Sequence, residues 1–286
     1  MKPDSLGDTL LAARKRLAAA LLLDASVAGL EAQALLGHVL KQPRAYLLAH
    51  PEATLSAEIT NPFEALLTRR LRGEPIAYLI GQREFYGFEF LVTPDVLIPR
   101  PETELLLEQA LAHTPHIAPM RILDLGVGSG AIAISLAKLR PHAQITALDI
   151  SPQALAIAQQ NADRLGAPNI RFMESNWFSK MDAACRFEVI VANPPYLAED
   201  DPHLYQGDVR FEPVMALTSG ADGLDAIRHI AQASLLFLPV GGRLLFEHGY
   251  NQGALCSDLL TSLGYADISS FQDLSGHSRV TSGKKP

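Results

Sequence analysis

The stretch Glu188-Val189-Ile190-Val191-Ala192-Asn193-Pro194-Pro195-Tyr196 limits the fold more than any other part of the chain. Its apolar, β-branched first half describes a short strand buried on both faces, the kind found in parallel sheets covered by helices. The strand cannot run past Asn193, because Pro194 and Pro195 have no N–H to donate to a neighbouring strand. In an open α/β sheet the carboxyl ends of the strands are where ligands bind. A rigid turn there presents the Asn193 amide, free backbone carbonyls and the Tyr196 ring. That set suits a flat, polar, uncharged group better than a phosphate or a carboxylate. A Pro-Pro pair alone is more simply a strand terminator, so the functional reading depends on a second segment upstream.

In that segment Arg121–Leu125 reads as a strand, Gly126-Val127-Gly128-Ser129-Gly130 as a tight loop and Ala131–Leu139 as a helix. Glycine suits a loop whose backbone takes unusual dihedrals and is approached closely by a ligand. Gln144–Leu148 is the next strand and ends in Asp149; Ser151-Pro152 then caps a helix that runs to Leu165 and stops at Gly166. An acidic residue ending the second strand is placed to accept hydrogen bonds from both ribose hydroxyls of an adenosine. The loop alone admits two readings. Gly126-x-Gly128-x-x-Ala131 with Asp149 downstream meets the relaxed dinucleotide fingerprint, which would make the chain a nicotinamide-dependent dehydrogenase. Two features tilt against that. Asp124 lies two residues before Gly126, where it can reach a cationic ligand, and the third glycine comes early, at Gly130, giving the D-x-G-x-G-x-G form associated with S-adenosylmethionine enzymes. A dehydrogenase would also need an acid/base residue, and none can be nominated. The strand Ile170–Glu174 leads to Asn176 and Trp177, an amide and an indole able to hold and cover an adenine ring; core packing explains a single Trp equally well.

The remaining chain supplies context. From Leu6 to about Leu48 the sequence is rich in Ala and Leu at helical spacing, with Leu10, Leu11, Leu17 and Leu21 on one helix and Ser26 capping a second. A third helix ends in Glu64–Leu71, starting at Asn61-Pro62 or else at Ser56 with a bend at the proline; its Arg69, Arg70 and Arg72 read as a solvated face. The resulting organisation is a helical bundle over residues 1–75, a β-hairpin connector over 76–100 and an α/β domain over 101–286. Pro101 is expected at the first position of a new helix. Residues 212–224 form an irregular segment over the strand ends, a candidate lid.

Composition narrows the function classes. With 286 residues, 48% of them hydrophobic, the chain can fill one large or two modest cores. A net charge of −7 argues against direct binding to a nucleic-acid backbone. Cys185 and Cys256 lie far apart without metal-like spacing, and the nine histidines form no ligand pattern, so no metal is expected and the thiols read as reduced. Met1-Lys2-Pro3-Asp4 lacks the apolar core of a signal peptide, and Leu17–Leu23 is too short to span a bilayer. A soluble, cytoplasmic monomer with no membrane partner is the expectation.

Several stretches together resemble one family, the glutamine-N5 methyltransferases that modify peptide-chain release factors (the HemK/PrmC type), over most of residues 75–280. They are Tyr78-Leu79-Ile80-Gly81, Glu84-Phe85-Tyr86-Gly87, Val96 to Glu104, Asp124 to Ile132, Ala147 to Ser151, Asn193-Pro194-Pro195-Tyr196, Glu247-His248-Gly249 and Asp273-Leu274-Ser275-Gly276 with Arg279-Val280. Pro99–Glu104 is the most specific; Asn-Pro-Pro-Tyr is shared with methyltransferases acting on base amino groups. The chain departs from the family at Val127, where Thr is usual, and at Asn176, where Asp is common. The resemblance implies a Rossmann-like class I S-adenosylmethionine methyltransferase fold with a small N-terminal helical domain that helps dock a protein substrate. It implies S-adenosylmethionine as cofactor, held by Asp124, Gly126, Val127, Gly128, Ser129, Gly130, Asp149, Ile150, Asn176, Trp177 and the Asn193 side. It implies a class 1 release factor as partner, its Gly-Gly-Gln glutamine amide held by Asn193, Pro194, Pro195 and Tyr196, with Asn193, Pro194 and Tyr196 carrying the chemistry. The alternatives are an adenine or cytosine amino-group methyltransferase, in which Tyr196 stacks on a flipped base, the dehydrogenase above, and a non-catalytic cofactor-binding module, against which intact Asp149 and Asn193 stand.

Overall fold

The computed structural model describes residues 5–117 and 119–286. They form two compact units: the residues through Gln82 with Gln206–Phe211, and Arg83–Tyr205 with Glu212–Pro286.

The first unit is helical: α1 (Leu6–Leu21), α2 (Ala25–Leu40), α3 (Arg44–Ala49), α4 (Ala57–Leu71) and α5 (Ile76–Ile80). The Ser5 hydroxyl accepts the Asp8 N–H at 3.1 Å and starts α1. Leu6, Ala13 and Leu17 form the buried stripe of α1, joined by Leu35, Leu36, Phe63 and Leu67 from α2 and α4. Leu11 lies on α1 as expected but falls off that stripe and is exposed. One helix start differs from the sequence reading, and a second follows the later-named of its two alternatives. Asp24, not Ser26, precedes α2, which places Ser26 inside the first turn. Ser56 precedes α4, so Pro62 is internal, and the N–H it lacks deprives only the carbonyl of the exposed Glu58, which water can serve. Residues 76–80, read as part of the connector, are helical, with Leu79 in this core.

From Arg83 the chain belongs to the second unit; β1 (Gln82–Phe85) and β2 (Phe88–Leu91) are joined by Tyr86-Gly87. Both loop residues have positive φ, 50° and 78°, as a type I′ hairpin turn requires. The main sheet contains β3 (Arg121–Leu125), β4 (Gln144–Asp149), β5 (Ile170–Glu174), β6 (Val189–Ala192), β7 (Arg243–Glu247), β8 (Ala266–Gln272) and β9 (Ser278–Lys284). Its order is β5-β4-β3-β6-β7-β9-β8, with β3 to β7 parallel and β9 antiparallel to both its neighbours. The helices are α6 (Thr103–Ala112), α7 (Ala131–Leu139), α8 (Pro152–Leu165), α9 (Asp225–Phe237) and α10 (Gly253–Ser262). Alternate strand residues point to opposite faces. Ile122, Ile145, Val189 and Val191 pack with α6, α7 and α8, whereas Leu123, Leu148, Ile190 and Phe246 pack with α9 and α10. All of Val189–Ala192 is buried, as its composition predicts. Helix α6 begins at Thr103, two residues later than expected, because Arg100-Pro101-Glu102 forms a turn in which the Thr103 N–H donates to the Arg100 carbonyl at 3.1 Å. Among the described residues no helix is long and apolar enough to cross a membrane.

Arg70, read from the sequence as solvated, is buried in the helical unit. Its guanidinium donates to both Glu31 carboxylate oxygens at 2.8 Å, to Asp208 at 2.9 Å and to the carbonyls of Gly73 and Glu74. A buried charge persists when it is paired and its donors are satisfied. Arg70→Met should therefore leave Glu31 uncompensated and cost about 3 kcal/mol, read as a fall in the urea midpoint of the full chain at unchanged slope. The double variant Arg70→Met, Glu31→Leu should recover most of that loss, and a single variant as stable as wild type would contradict the assignment.

Candidate active site

Strands β3 and β6 are neighbours with Leu125 opposite Ala192, so the residues that follow them, Gly126 and Asn193, emerge side by side. The strand order reverses at this pair: β4 and β5 lie beyond β3, β7 beyond β6. The crevice at such a reversal is the usual ligand site of open α/β sheets. Here it is a cavity of about 830 Å³. The N–H groups of Gly126 and Val127 donate to the Leu148 carbonyl at 2.8 and 2.9 Å, fastening the glycine loop to β4. Gly130 has φ of 88°, and a Cβ there would stand 2.5 Å from the Ile134 side chain, so only glycine fits at the helix entry.

The structure brings most of the sequence-predicted residues to the cavity wall. Gly126, Val127, Gly128 and Ser129 form one side, Asp149 and Ile150 a second, Asn176 and Trp177 a third, and Asn193 and Pro195 a fourth. Asp124, Gly130, Pro194 and Tyr196 do not line it.

Asp124, expected to reach into the site, lies behind the loop, 1% exposed, and neither carboxylate oxygen meets a side-chain partner. Burial pushes its carboxyl up to about 7, Asp149 acting the same way and the Ala133 N–H opposing. Asp149 accepts the Gly128 and Ser151 N–H groups, each at 2.9 Å, on separate oxygens. Burial still holds its carboxyl above the ordinary value against those N–H groups. Each oxygen keeps a lone pair for a further donor.

Trp177 has φ of 48°, uncommon for a bulky residue, and lies between wall and core. The Ser175 hydroxyl donates to its carbonyl at 2.7 Å and holds that conformation. Such strain clusters at functional sites.

At the turn, Asn193 Nδ2 donates to Thr103 Oγ1 at 3.2 Å. The Tyr196 and Leu197 N–H groups donate to the Leu217 carbonyl at 3.2 and 2.9 Å, and Gln252 Nε2 donates to the Tyr196 carbonyl at 3.0 Å. The Tyr196 hydroxyl donates to Glu247 Oε1 at 3.2 Å. Burial and the facing Glu247 hold the phenol far above its usual range, so it stays protonated. Glu247 is 1% exposed. Burial pushes its carboxyl up to about 7 against the pull of the Thr103 and Tyr196 hydroxyls and Arg279, with Glu102 adding to the rise. The Pro194 carbonyl accepts no hydrogen bond among the described residues.

The segment read as a lid contributes Pro213, Met215, Ala216, Thr218 and Ser219 to the wall. Its buried Glu212 accepts the Ile98 N–H at 3.0 Å and pairs with Arg100. Among the described residues no group of His, Cys, Asp or Glu that could hold a metal ion gathers anywhere.

Thr103, Glu247 and Gln252 were missed as site residues. Glu247 left a signal, since an acid closing the apolar run Leu244-Leu245-Phe246 repeats the pattern of Asp149 after β4. Thr103 left only its place in the Pro99–Glu104 stretch, and Gln252 none beyond an ordinary helix start.

Comparison with known proteins fits this geometry. Residues 10–81 match the family model described as PrmC N-terminal domain, and residues 101–207 match the Methyltransferase small domain. The chain is 48% identical over 275 residues to a release factor glutamine methyltransferase of Burkholderia pseudomallei, covering 94% of this chain and 96% of that one. It is also 48% identical to the Escherichia coli protein of the same name, covering 89% and 91%. A methyltransferase structure from Pyrococcus furiosus shares the fold with a TM-score of 0.53 at 18% identity, covering 76% of this chain and 96% of that one. The fold is that of class I S-adenosylmethionine methyltransferases, and the chain belongs to the release factor glutamine methyltransferase family.

Proposed function

We propose that this enzyme transfers a methyl group from S-adenosylmethionine to the side-chain amide nitrogen of the glutamine in the Gly-Gly-Gln tip of a class 1 release factor. The observation that carries the reading is the pairing of the glycine loop with the Asn193 turn across one cavity at the β3–β6 reversal. The separate match of residues 10–81 supports a docking role for the N-terminal helices.

The residues present fit the cofactor. Asp149 has a free lone pair on each oxygen for the ribose hydroxyls, and Ile150 and Trp177 offer apolar faces to an adenine. A cationic ligand in front of the loop would hold the buried Asp124 carboxyl ionised, and by the same linkage the carboxylate favours that ligand. When bound, S-adenosylmethionine supplies a methyl group on a positively charged sulfur.

An amide nitrogen is a poor nucleophile because its lone pair is shared with the carbonyl. The turn offers acceptors rather than a base: Tyr196 remains protonated and Glu247 faces Tyr196. In this reading Asn193 Oδ1 and the Pro194 carbonyl each accept one N–H of the glutamine amide. They draw density onto the nitrogen and aim its lone pair at the methyl carbon as planarity is lost. Tyr196, pinned through its hydroxyl and carbonyl, fixes the tilt of the amide. Catalysis is then positioning plus hydrogen bonds matched to developing charge.

Three outcomes test this. Labelled methyl from S-adenosylmethionine should enter an intact release factor, but neither one with its Gly-Gly-Gln glutamine replaced nor plain DNA; labelled DNA would instead favour the base-methylating reading. Asn193→Ala should lower kcat roughly 100-fold, the scale of one preorganised hydrogen bond, and Asn193→Asp should also be slower, because it adds charge where a neutral acceptor is needed. Asp124 gives a stability test. Folded Asp124 holds its proton up to about pH 7, whereas the unfolded chain releases it near the ordinary 3.8. This group therefore makes the cofactor-free protein progressively less stable as pH rises between those values, with no further change above. Asp124→Asn should match wild type near pH 4 and melt at higher temperature at pH 8; equal melting curves at both would contradict the buried, unpaired carboxyl.

A further inference from the structure

The turn Asn193–Tyr196 belongs to no helix or strand, yet the proposed chemistry needs its two acceptors held still. From the hydrogen bonds around it we infer that Gln252 is a positioning residue, one buried side-chain amide that ties the carboxyl end of this turn to two further loops. This inference rests on the reaction proposed above and names a further residue for it.

Gln252 stands immediately before α10 and is 7% exposed. Its Oε1 accepts the Gly249 N–H at 2.8 Å. Its Nε2 donates to the Tyr196 carbonyl at 3.0 Å and to the Asp222 carbonyl at 3.4 Å. An amide side chain has an oxygen that accepts and two hydrogens to give, and here each meets a backbone group. A backbone N–H can only donate and a carbonyl can only accept, whatever the pH. The direction of this amide is therefore fixed. Turned over, it would set its NH2 against an N–H and its oxygen against two carbonyls. Buried backbone groups left unmet are costly, so the observed direction holds.

The three partners come from three places in the chain. Tyr196 closes the turn after β6, Gly249 lies in the connection from β7 to α10, and Asp222 precedes α9. Gly223 lets them meet: a Cβ there would stand 2.3 Å from the Tyr196 carbonyl oxygen and 3.0 Å from Gln252 Nε2. The amide is rooted in the core, because the Cys256 N–H donates to the Gln252 carbonyl at 2.9 Å and Cys256 and Leu260 of α10 are buried there. Tyr196 is thus held at its N–H by Leu217, at its hydroxyl by Glu247 and at its carbonyl by Gln252. Losing the last of these frees the carboxyl end of the turn, and the Asn193 oxygen and the Pro194 carbonyl shift with it.

The test uses the full chain with S-adenosylmethionine and an intact release factor. Gln252→Met, which keeps the length of the side chain and removes all three hydrogen bonds, should lower kcat roughly 10- to 100-fold, the effect of misplacing groups that touch substrate. KM for the release factor should stay close to wild type. Combined with Asn193→Ala, the two losses should fall short of multiplying, because part of the Gln252 effect passes through Asn193. A Met variant as fast as wild type, or losses that multiply in full, would overturn the inference. Amide hydrogen exchange supplies a readout without methyl transfer. In wild type the Gln252 NH2 and the Gly249 N–H should be protected, and free exchange of either would overturn the clamp whatever the methyl acceptor. In Gln252→Met the Tyr196 and Leu197 N–H groups should exchange roughly tenfold faster, the scale of one lost hydrogen bond. The Gly126 and Val127 N–H groups of the glycine loop should keep their wild-type rates. Equal acceleration at all four, or none at Tyr196 and Leu197, would also overturn it. Loosening confined to the turn, in an enzyme that leaves release factors unmethylated, would uphold the clamp and sink the substrate reading alone.

Discussion

Everything at this site depends on the parallel pairing of β3 with β6. Hydrogen bonds between two strands buried on both faces set Leu125 opposite Ala192 to within a residue. A slip of one position would turn every buried side chain of β6 to the other face, so the register is held by the whole core. The glycine loop and the Asn193 turn inherit that precision and are fastened further by the Leu148 and Leu217 carbonyls. The two prolines matter because they end the strand at one residue, leaving Asn193 in the crevice rather than in the ladder. Preorganisation of the acceptors follows from the sheet, and the catalytic role we assign them follows from preorganisation.

A second regularity is electrostatic. Acids stand at or near the carboxyl ends of three parallel strands: Asp124 in β3 and Glu247 at the end of β7, both buried, and the half-buried Asp149 at the end of β4. Burial raises all three. Each is a stability cost for the cofactor-free protein, and in the reading proposed above each has a use in the occupied site: a field for a cationic ligand, a receiver for ribose hydroxyls, an anchor for the turn. Local rules of folding are broken where function needs them broken. The positive φ of Trp177 belongs to the same pattern.

Much of this was legible in the sequence. Strands buried on both faces appear as continuous apolar runs, and the glycines, Asp149 and Asn193 interrupt those runs at their ends, so the elements and most of the cavity wall could be placed. Helix starts were less legible, because Asp24 and Ser26, or Ser56 and Asn61, are equally good caps until packing selects one. What the sequence could not supply were contacts between distant residues. Thr103 meets Asn193 across 90 residues, Tyr196 meets Glu247 across 51, and Arg70 meets Asp208 across 138. An arginine on a helix and a threonine after a proline look solvent-facing or structural until the fold brings their partners to them. Asp124 erred the other way: its position before the loop suggested reach, and the strand's pleat put it behind the wall.

The most direct measurement is a crystal structure of the enzyme with S-adenosylhomocysteine, the demethylated cofactor, and a peptide carrying the Gly-Gly-Gln loop. The mechanism requires the glutamine nitrogen to lie within hydrogen-bonding distance of both Asn193 Oδ1 and the Pro194 carbonyl, with its lone pair toward the cofactor sulfur. A glutamine bound with its oxygen toward Asn193, or held away from the turn altogether, would contradict it.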